Sequence, residues 1–239
     1  TNAASVRRRN AAFRAAICAS AVVGYAQNAL KAGATMVTAQ FVNVNGSSLL
    51  PISNIVPVGD DTYNNVAIQR LDSAGRTVEN YVWTDAGGEE GDQIGWVNDE
   101  NEIVSDVSFI PGEGLWIYGS ADGQGIQTAG SVGTRDITVQ LKAGGIGTGN
   151  PFPLSVNLSD LIPSGDETYN NVSIQTLDSA GRTVENYVWT DAGGEDGDQI
   201  GWVNDDNELV TSVFFQPGQG LWVYGSSENQ YLTFPAPEL

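Results

Sequence analysis

Short stretches of alternating apolar and polar residues recur along the chain, and turn-forming residues end most of them. Residues 66–71 and 77–84 both alternate, and the Asp-Ser-Ala-Gly sequence at 72–75 between them is typical of a hairpin turn. The same reasoning predicts further strands at residues 22–30, 35–44, 94–97, 103–110, 115–118, 136–141 and 231–234. Short strands at intervals of about 8–12 residues indicate an all-β fold of the antiparallel sandwich or barrel type.

A long block of this pattern occurs twice. Residues 59–120 recur at 165–226 with an offset of 106, and 50 of the 62 paired positions are identical. The tetrapeptide Leu-Lys-Ala-Gly precedes each block, at residues 30–33 and at 141–144. A duplication this close predicts two tandem β modules of one type.

The predicted modules cover residues 22–131 and 132–239, with little spacer between them. In the second module the stretch 145–153 is rich in glycine and proline, so we expect a loop there. Residues 1–21 precede the modules as an extended N-terminal arm. This arm reads either as a basic leader or as an assembly arm, and its apolar spacing fits a strand and a helix equally well.

The net charge of −19 is divided unevenly along the chain. Residues 1–31 carry a charge of +5, whereas residues 32–239 carry −24. Because an acidic body repels phosphates, we expect no nucleic-acid partner. Such a body suits an extracellular surface, the binding of cations, or the docking of a basic segment such as the chain's own N-terminus.

Several chemistries are excluded by composition. The 239 residues contain no histidine and one cysteine, Cys18, which excludes histidine-based catalysis, histidine zinc sites and an internal disulfide. No run approaches about 20 apolar residues, so we expect no membrane-spanning helix. Glu79, Asp85 and Asp92 have the side chains of a glycosidase, but both blocks carry them and would need two identical active sites. We therefore predict that the chain is not an enzyme.

Acidic, glycine-rich loops follow the central strand of each block. Carboxylate oxygens in such loops suit calcium, although solvated acidic loops without a metal are the commoner case. The candidate calcium ligands are Asp85, Glu89, Glu90, Asp92, Asp191, Glu195, Asp196 and Asp198.

The tryptophans and three asparagines are further candidates for function. All six tryptophans lie in the two blocks at matching places, beginning with Trp83 and Trp96. The favoured interpretation is that they form the core, and the alternative is that they stack on sugar rings. Three Asn-x-Ser triplets are candidate glycosylation sites, at Asn45, Asn157 and Asn171.

Four motifs resemble those of secreted tandem β-rich repeat proteins of environmental bacteria. The motifs are VVGY at 22–25, YVWTD at 81–85, GW at 95–96 and PGEGLWIYGS at 111–120. The resemblance extends over most of residues 22–234. It implies export from the cell and a β-sandwich-like fold, and it implies no particular activity.

These observations lead us to expect a structural subunit of an extracellular, pilus-like filament. Its N-terminal strand would complete an open sheet edge of a neighbouring copy, so that the chain polymerises head to tail. The expected arm residues are Arg7, Arg8, Arg9, Phe13, Arg14, Ile17, Val22 and Val23. The alternative expectation is a secreted carbohydrate-binding or adhesive β module with glycans as partners.

Overall fold

β-strands make up nearly all the regular structure of the computed structural model, which describes residues 23–29, 33–38, 49–86, 93–121, 123–191 and 199–237. Two short 3-10 helices, at Ile52–Asn54 and Leu158–Asp160, are the helical elements of these ranges. No helix in the described part of the chain is both long and apolar enough to cross a membrane. The predicted all-β, antiparallel fold is confirmed.

Ten strands precede residue 132, and we call residues 23–131 the first repeat. They are β1 (Val23–Ala29), β2 (Gly33–Thr38), β3 (Leu50–Pro51), β4 (Ile55–Val58), β5 (Val66–Leu71), β6 (Thr77–Asp85), β7 (Ile94–Val97), β8 (Ser108–Phe109), β9 (Gly114–Gly119) and β10 (Gly125–Ser131).

Ten more strands follow, and we call residues 132–237 the second repeat. They are β11 (Ile137–Gln140), β12 (Ile146–Gly149), β13 (Val156–Asn157), β14 (Ile162–Gly165), β15 (Ser173–Leu177), β16 (Thr183–Asp191), β17 (Ile200–Val203), β18 (Phe214–Phe215), β19 (Gly220–Tyr224) and β20 (Gln230–Phe234).

Both repeats arrange their strands in the same way. The first repeat has a three-stranded sheet β1-β10-β4, a five-stranded sheet β2-β9-β5-β6-β7 and the pair β3-β8. The second has the sheets β11-β20-β14 and β12-β19-β15-β16-β17 and the pair β13-β18. All of these pairings are antiparallel. The division at residues 131 and 132 into separate modules stays a prediction.

Alternating side chains build a sandwich core in each repeat. In the first, Ile55 of β4 and Ile126 of β10 join Ile68 and Ile117 of the five-stranded sheet in one buried cluster. In a strand, alternate residues point to the same face, so the period of two in the sequence is what brings these side chains together. A separate cluster in the second repeat contains the matching Leu161, Leu232, Ile174 and Val223.

A buried tryptophan connects the two sheets of each sandwich. Trp96 of β7 donates its indole N–H to the carbonyl of Ile55 at 2.7 Å, and Trp202 of β17 does the same to Leu161 at 2.7 Å. Trp83 packs edge-on against Trp96 with 5.4 Å between ring centroids. The interpretation of the tryptophans as core residues is therefore confirmed for Trp96 and Trp202.

Two local predictions are wrong. Residues 145–153 contain a strand, β12, which pairs with β19, instead of forming only a loop. Residues 103–110 are not one strand, because Val104 donates its backbone N–H to Trp96 and the chain then crosses to the small β3-β8 sheet. In that stretch β8 alone is a strand of more than one residue.

Replacing Trp202 by Phe should destabilise the protein through loss of one hydrogen bond. The carbonyl of Leu161 would be left buried without its indole donor, which costs about 1–3 kcal/mol. Denaturant unfolding followed by circular dichroism measures the loss. Trp96→Phe should produce a loss of similar size, and a change below about 0.5 kcal/mol in both variants would contradict the role assigned to the indole.

Candidate functional site

Most of the expected assembly-arm residues, from Arg7 to Val22, lie outside the described residues. The exception is Val23, which is the first residue of β1 and lies opposite Ser131 of β10 in the same chain. Any arm that reaches a neighbouring copy therefore precedes β1.

The predicted calcium ligands are only partly described. Asp85 and Asp191 end β6 and β16, where they accept hydrogen bonds from the hydroxyls of Tyr63 and Tyr169. The other candidates, Glu89, Glu90, Asp92, Glu195, Asp196 and Asp198, lie outside the described residues. Within the described ranges, no group of three or more potential metal ligands lies close together. Calcium binding by the two loops stays a prediction.

At two of the candidate glycosylation sites, the asparagine side chain makes hydrogen bonds to the backbone that explain why an asparagine is present. Asn157 accepts the backbone N–H of Ser159 and donates to the carbonyl of Thr211, so it caps a 3-10 helix. Asn171 donates to the carbonyl of Glu167 at 2.8 Å, and Asn65 makes the same bond to Asp61 without being part of a glycosylation triplet. Asn45 lies outside the described residues.

The repeats pack on each other through two reciprocal contacts. Trp116 of β9 lies over Gly181 of the second repeat, and Trp222 of β19 lies over Gly75 of the first. Both glycines have positive φ, 73° at Gly75 and 75° at Gly181, and occupy the turns between β5 and β6 and between β15 and β16. Trp116, Trp222 and Met36 form a third buried cluster. We call this contact the junction.

An aspartate shapes each of the two junction turns. Asp72 accepts the backbone N–H groups of Ala74 and Arg76 and also pairs with the Arg76 guanidinium. Asp178 makes the same bonds to Ala180 and Arg182. The pKa of each aspartate is lowered, mainly by the hydrogen bond from the backbone N–H of the arginine and next by the hydrogen bond from the arginine side chain. The glycine that faces the tryptophan is thus held by local hydrogen bonds.

One cleft of about 400 Å³, the central cleft, opens beside the junction and is built from both repeats. Most of its lining consists of pairs of residues that are 106 positions apart. These pairs are Gln69 and Gln175, Leu71 and Leu177, Gly75 and Gly181, Thr77 and Thr183, Trp116 and Trp222, and Tyr118 and Tyr224. The cleft therefore has approximate two-fold symmetry.

A row of hydrogen-bonded side chains leads across each five-stranded sheet into the central cleft. In the first repeat Thr77 donates to Gln69 at 2.8 Å, Gln69 donates to Asn80 at 3.2 Å, and Asn80 donates to Asp99 at 3.1 Å. The second repeat has the same row at similar distances, and it ends at Asp205. The side chains of the two glutamines are thereby held in one orientation before any ligand arrives.

A second cleft of about 790 Å³, the edge cleft, lies between the turn at residues 110–113 and β11. Thr138, Val139 and Gln140 of β11 all line it. Because successive side chains point to opposite faces of a strand, a cleft that touches all three must run along the strand's edge. The other edge of β11 is paired with β20, so the edge cleft follows the free one.

Hydrogen bonding identifies the groups at this free edge. The backbone N–H of Leu141 donates to Gln230, so residues 137, 139 and 141 direct their backbone polar groups towards β20. The N–H and C=O groups of Thr138 and Gln140 then point into the edge cleft. They are the groups with which an added strand would pair.

Four other sheet edges in the described residues are protected. The outer strands β4 and β14 contain Pro57 and Pro163, which lack an N–H to offer. The outer strands β7 and β17 are covered by the segments that follow them, since Val104 and Val210 donate to Trp96 and Trp202. The edge of β11 is thus open in a way that these four edges are not.

Four of the twelve differences between the two blocks border the edge cleft. Arg70, Ser108, Ile110 and Glu113 line it, whereas the matching residues of the second repeat are Thr176, Phe214, Gln216 and Gln219. Since 50 of 62 positions in the blocks are identical, the surface at the edge cleft is one of the places where the two repeats differ in chemistry.

Arg70 holds one side of the edge cleft together. Its guanidinium donates to Glu113 and Glu79 at 2.6 Å each and lies 4.7 Å from the centre of the Phe109 ring. Burial lowers the pKa of Arg70, but the hydrogen bonds and charges of Glu113 and Glu79 outweigh it and raise this pKa. Glu79 also accepts a hydrogen bond from the Tyr81 hydroxyl. Burial, and to a smaller extent this hydrogen bond, raise the pKa of Tyr81 to about 12.

No family model, curated protein or solved structure matches this chain. The geometry of the described residues is therefore the basis for a functional proposal. Sequence reasoning missed the two clefts, although one signal was available: the non-conservative differences between the blocks, at Arg70, Ile110 and Glu113, coincide with the edge cleft.

Replacing Arg70 by Thr, its counterpart in the second repeat, should destabilise the protein by about 1.5–3 kcal/mol. The half-buried carboxylates of Glu79 and Glu113 would face each other without a cation. Adding Glu113→Gln should recover part of the loss, because Gln219 already accepts the matching turn N–H in the second repeat. Denaturant unfolding of the two variants tests this, and equal stabilities would contradict the prediction.

Replacing Asp178 by Asn should remove part of the acid sensitivity of unfolding. The folded-state pKa of Asp178 is lowered, so its charge stabilises the protein above the unfolded pKa of about 3.9, and this contribution is lost as the pH falls through the folded pKa. The difference in melting temperature between wild type and variant should therefore shrink below about pH 4. Asp60→Asn, which removes an exposed charge outside the turn, is the control.

Proposed function

We propose that the protein is a structural subunit of an extracellular filament, which grows head to tail when the N-terminal arm of one copy adds to a sheet edge of the next. The observation that carries the proposal is the free edge of β11 along the edge cleft. An exposed strand edge is a template for pairing with another chain, and pairing through the main chain provides affinity.

The sheet order supports a position beside β11 for the donated strand. β20, near the end of the described chain, has β11 on one side and β14 on the other, so it has no edge to offer. β14 contains Pro163, which leaves β11 as the strand of this sheet with a usable edge. An arm that lies in the edge cleft would pair with Thr138 and Gln140.

The surroundings of the cleft favour an arm with apolar side chains. Ile110 at the rim is 62% exposed, and Val139 and Ile146 line the same space. The expected arm contains Phe13 and Ile17, which would cover this apolar surface when paired there. Burial of these apolar side chains would increase the affinity of the arm beyond what the main-chain hydrogen bonds provide.

Charge supports association between copies. Residues 1–31 carry +5 and the remainder −24, so the N-terminus of one copy is attracted to the body of another. A head-to-tail contact that does not close into a ring produces an open helical filament. The resemblance to secreted β-rich repeat proteins supports an extracellular location.

Replacing Thr138 by Pro should abolish polymerisation while leaving the fold intact. Proline removes an N–H that points into the edge cleft and leaves residues 137, 139 and 141 to pair with β20. Thr138→Val is the matched control, because it also loses the hydroxyl contact to Thr233 and keeps the N–H. Electron microscopy and sedimentation velocity measure filament formation.

Deleting residues 1–21 should have the same effect as Thr138→Pro, since it removes the donor and not the acceptor. A mixture of the two variants should form no long filaments. The arm of the Thr138→Pro variant can pair with the intact β11 edge of the deletion variant, but the resulting pair has neither a free arm nor an intact free edge with which to add another copy. Polymerisation of either variant at the wild-type level, or a full chain that stays monomeric, would overturn the filament proposal.

A further inference from the structure

We propose that the central cleft is a binding site for a neutral saccharide, which would be held between the two repeats. The proposal goes beyond the filament function and does not depend on it. It rests on the chemistry of the cleft lining, on the fixed orientation of its polar groups and on its approximate symmetry.

The first observation is the lack of charge in the cleft. None of the described residues that line it is charged, although the chain contains 29 acidic and 10 basic residues. A phosphate or an acidic sugar would find no cation there, and a basic peptide would find no carboxylate. The ligand that fits is therefore uncharged.

The second observation is a set of prearranged polar groups. Gln69 accepts from Thr77 and donates to Asn80, which uses one lone pair and one N–H of its amide. A glutamine side chain has two donor hydrogens and two lone pairs, so one of each remains for a ligand. Gln175 is held in the same way by Thr183 and Asn186. Sugar hydroxyls both donate and accept, and they match such amides.

The third observation is the aromatic lining. Tyr118 and Tyr224 are 38% and 37% exposed at the cleft, and Trp222 packs edge-on against Tyr224 with ring centroids 6.4 Å apart. A tyrosine presents an apolar ring and a polar hydroxyl, which suits a ligand with C–H faces and hydroxyl edges. A purely apolar ligand would leave the glutamine amides without partners, at a cost in binding energy.

The size and symmetry of the cleft narrow the ligand further. A volume of about 400 Å³ lies at the lower end of the range for small-molecule sites, which is about 300–1,000 Å³. Each repeat supplies one glutamine, one threonine and one tyrosine to it, so a single repeat would have half a site. Two half-sites side by side suit a ligand long enough to reach both glutamines, such as a segment of an oligosaccharide.

Isothermal titration calorimetry on the full chain tests the proposal, with cellohexaose, xylohexaose and mannohexaose as neutral probes and hexagalacturonate as the acidic probe. We expect at least one neutral probe to bind and the acidic probe to bind more weakly. The double variant Gln69→Ala/Gln175→Ala should bind at least about tenfold more weakly, because it removes a hydrogen-bonding group from each half-site.

A matched control is available on the neighbouring strands. Val78→Thr/Val184→Thr changes exposed residues of β6 and β16 outside the cleft and should keep the wild-type affinity. Tyr118→Ala/Tyr224→Ala removes the aromatic surface independently of the amides and should also weaken binding. Melting curves of all the variants show whether each is folded.

Several outcomes would overturn the saccharide proposal. These are no binding of any neutral probe, tighter binding of hexagalacturonate, and unchanged affinity in both the glutamine and the tyrosine variants. Binding of a peptide of residues 1–22 in the cleft, without saccharide binding, would make it a peptide site instead. Sedimentation measured in parallel separates the two proposals, since filament formation without saccharide binding overturns this one alone.

Discussion

The reciprocal contact of two tryptophans with two glycine turns is the constraint on which both clefts depend. Trp116 and Trp222 each lie over a turn of the opposite repeat, where an aspartate holds the backbone and a glycine keeps the surface flat. A side chain at Gly181 would start 3.4 Å from the Trp116 ring, and the positive φ there already disfavours other residues. The central cleft opens directly beside this contact. The edge cleft lies where the turn at residues 110–113, just before β9, meets β11 and β12.

The strands with strong local signals could be predicted from the sequence. The hairpin of β5 and β6 has regular alternation and an Asp-Ser-Ala-Gly turn, and both features are local, so they can be seen without knowledge of tertiary contacts. β12 was missed because it is Ile-Gly-Thr-Gly, a composition typical of loops. β12 also packs closely against β9 of the first repeat, a tertiary contact that its own sequence does not show: a methyl group on Gly114 of β9 would lie 2.4 Å from the backbone of Gly147.

The three tryptophans of a block have three different environments that no local pattern separates. Trp96 is in the sandwich core, Trp83 packs against it from a half-buried position, and Trp116 lies between the repeats. The clefts were equally hidden, because their lining comes from residues far apart in sequence. Only the internal comparison of the blocks, with its cluster of differences at Arg70 and Glu113, pointed to a region of interest.

The reciprocity of the junction limits how the molecule can be extended. Each repeat offers its tryptophan and its glycine turn to the other, so the contact is isologous and consumes both surfaces at once. A third repeat of the same kind would find no tryptophan or turn left to dock on. This type of contact can therefore join only two repeats. Any larger assembly must form through a surface other than the junction.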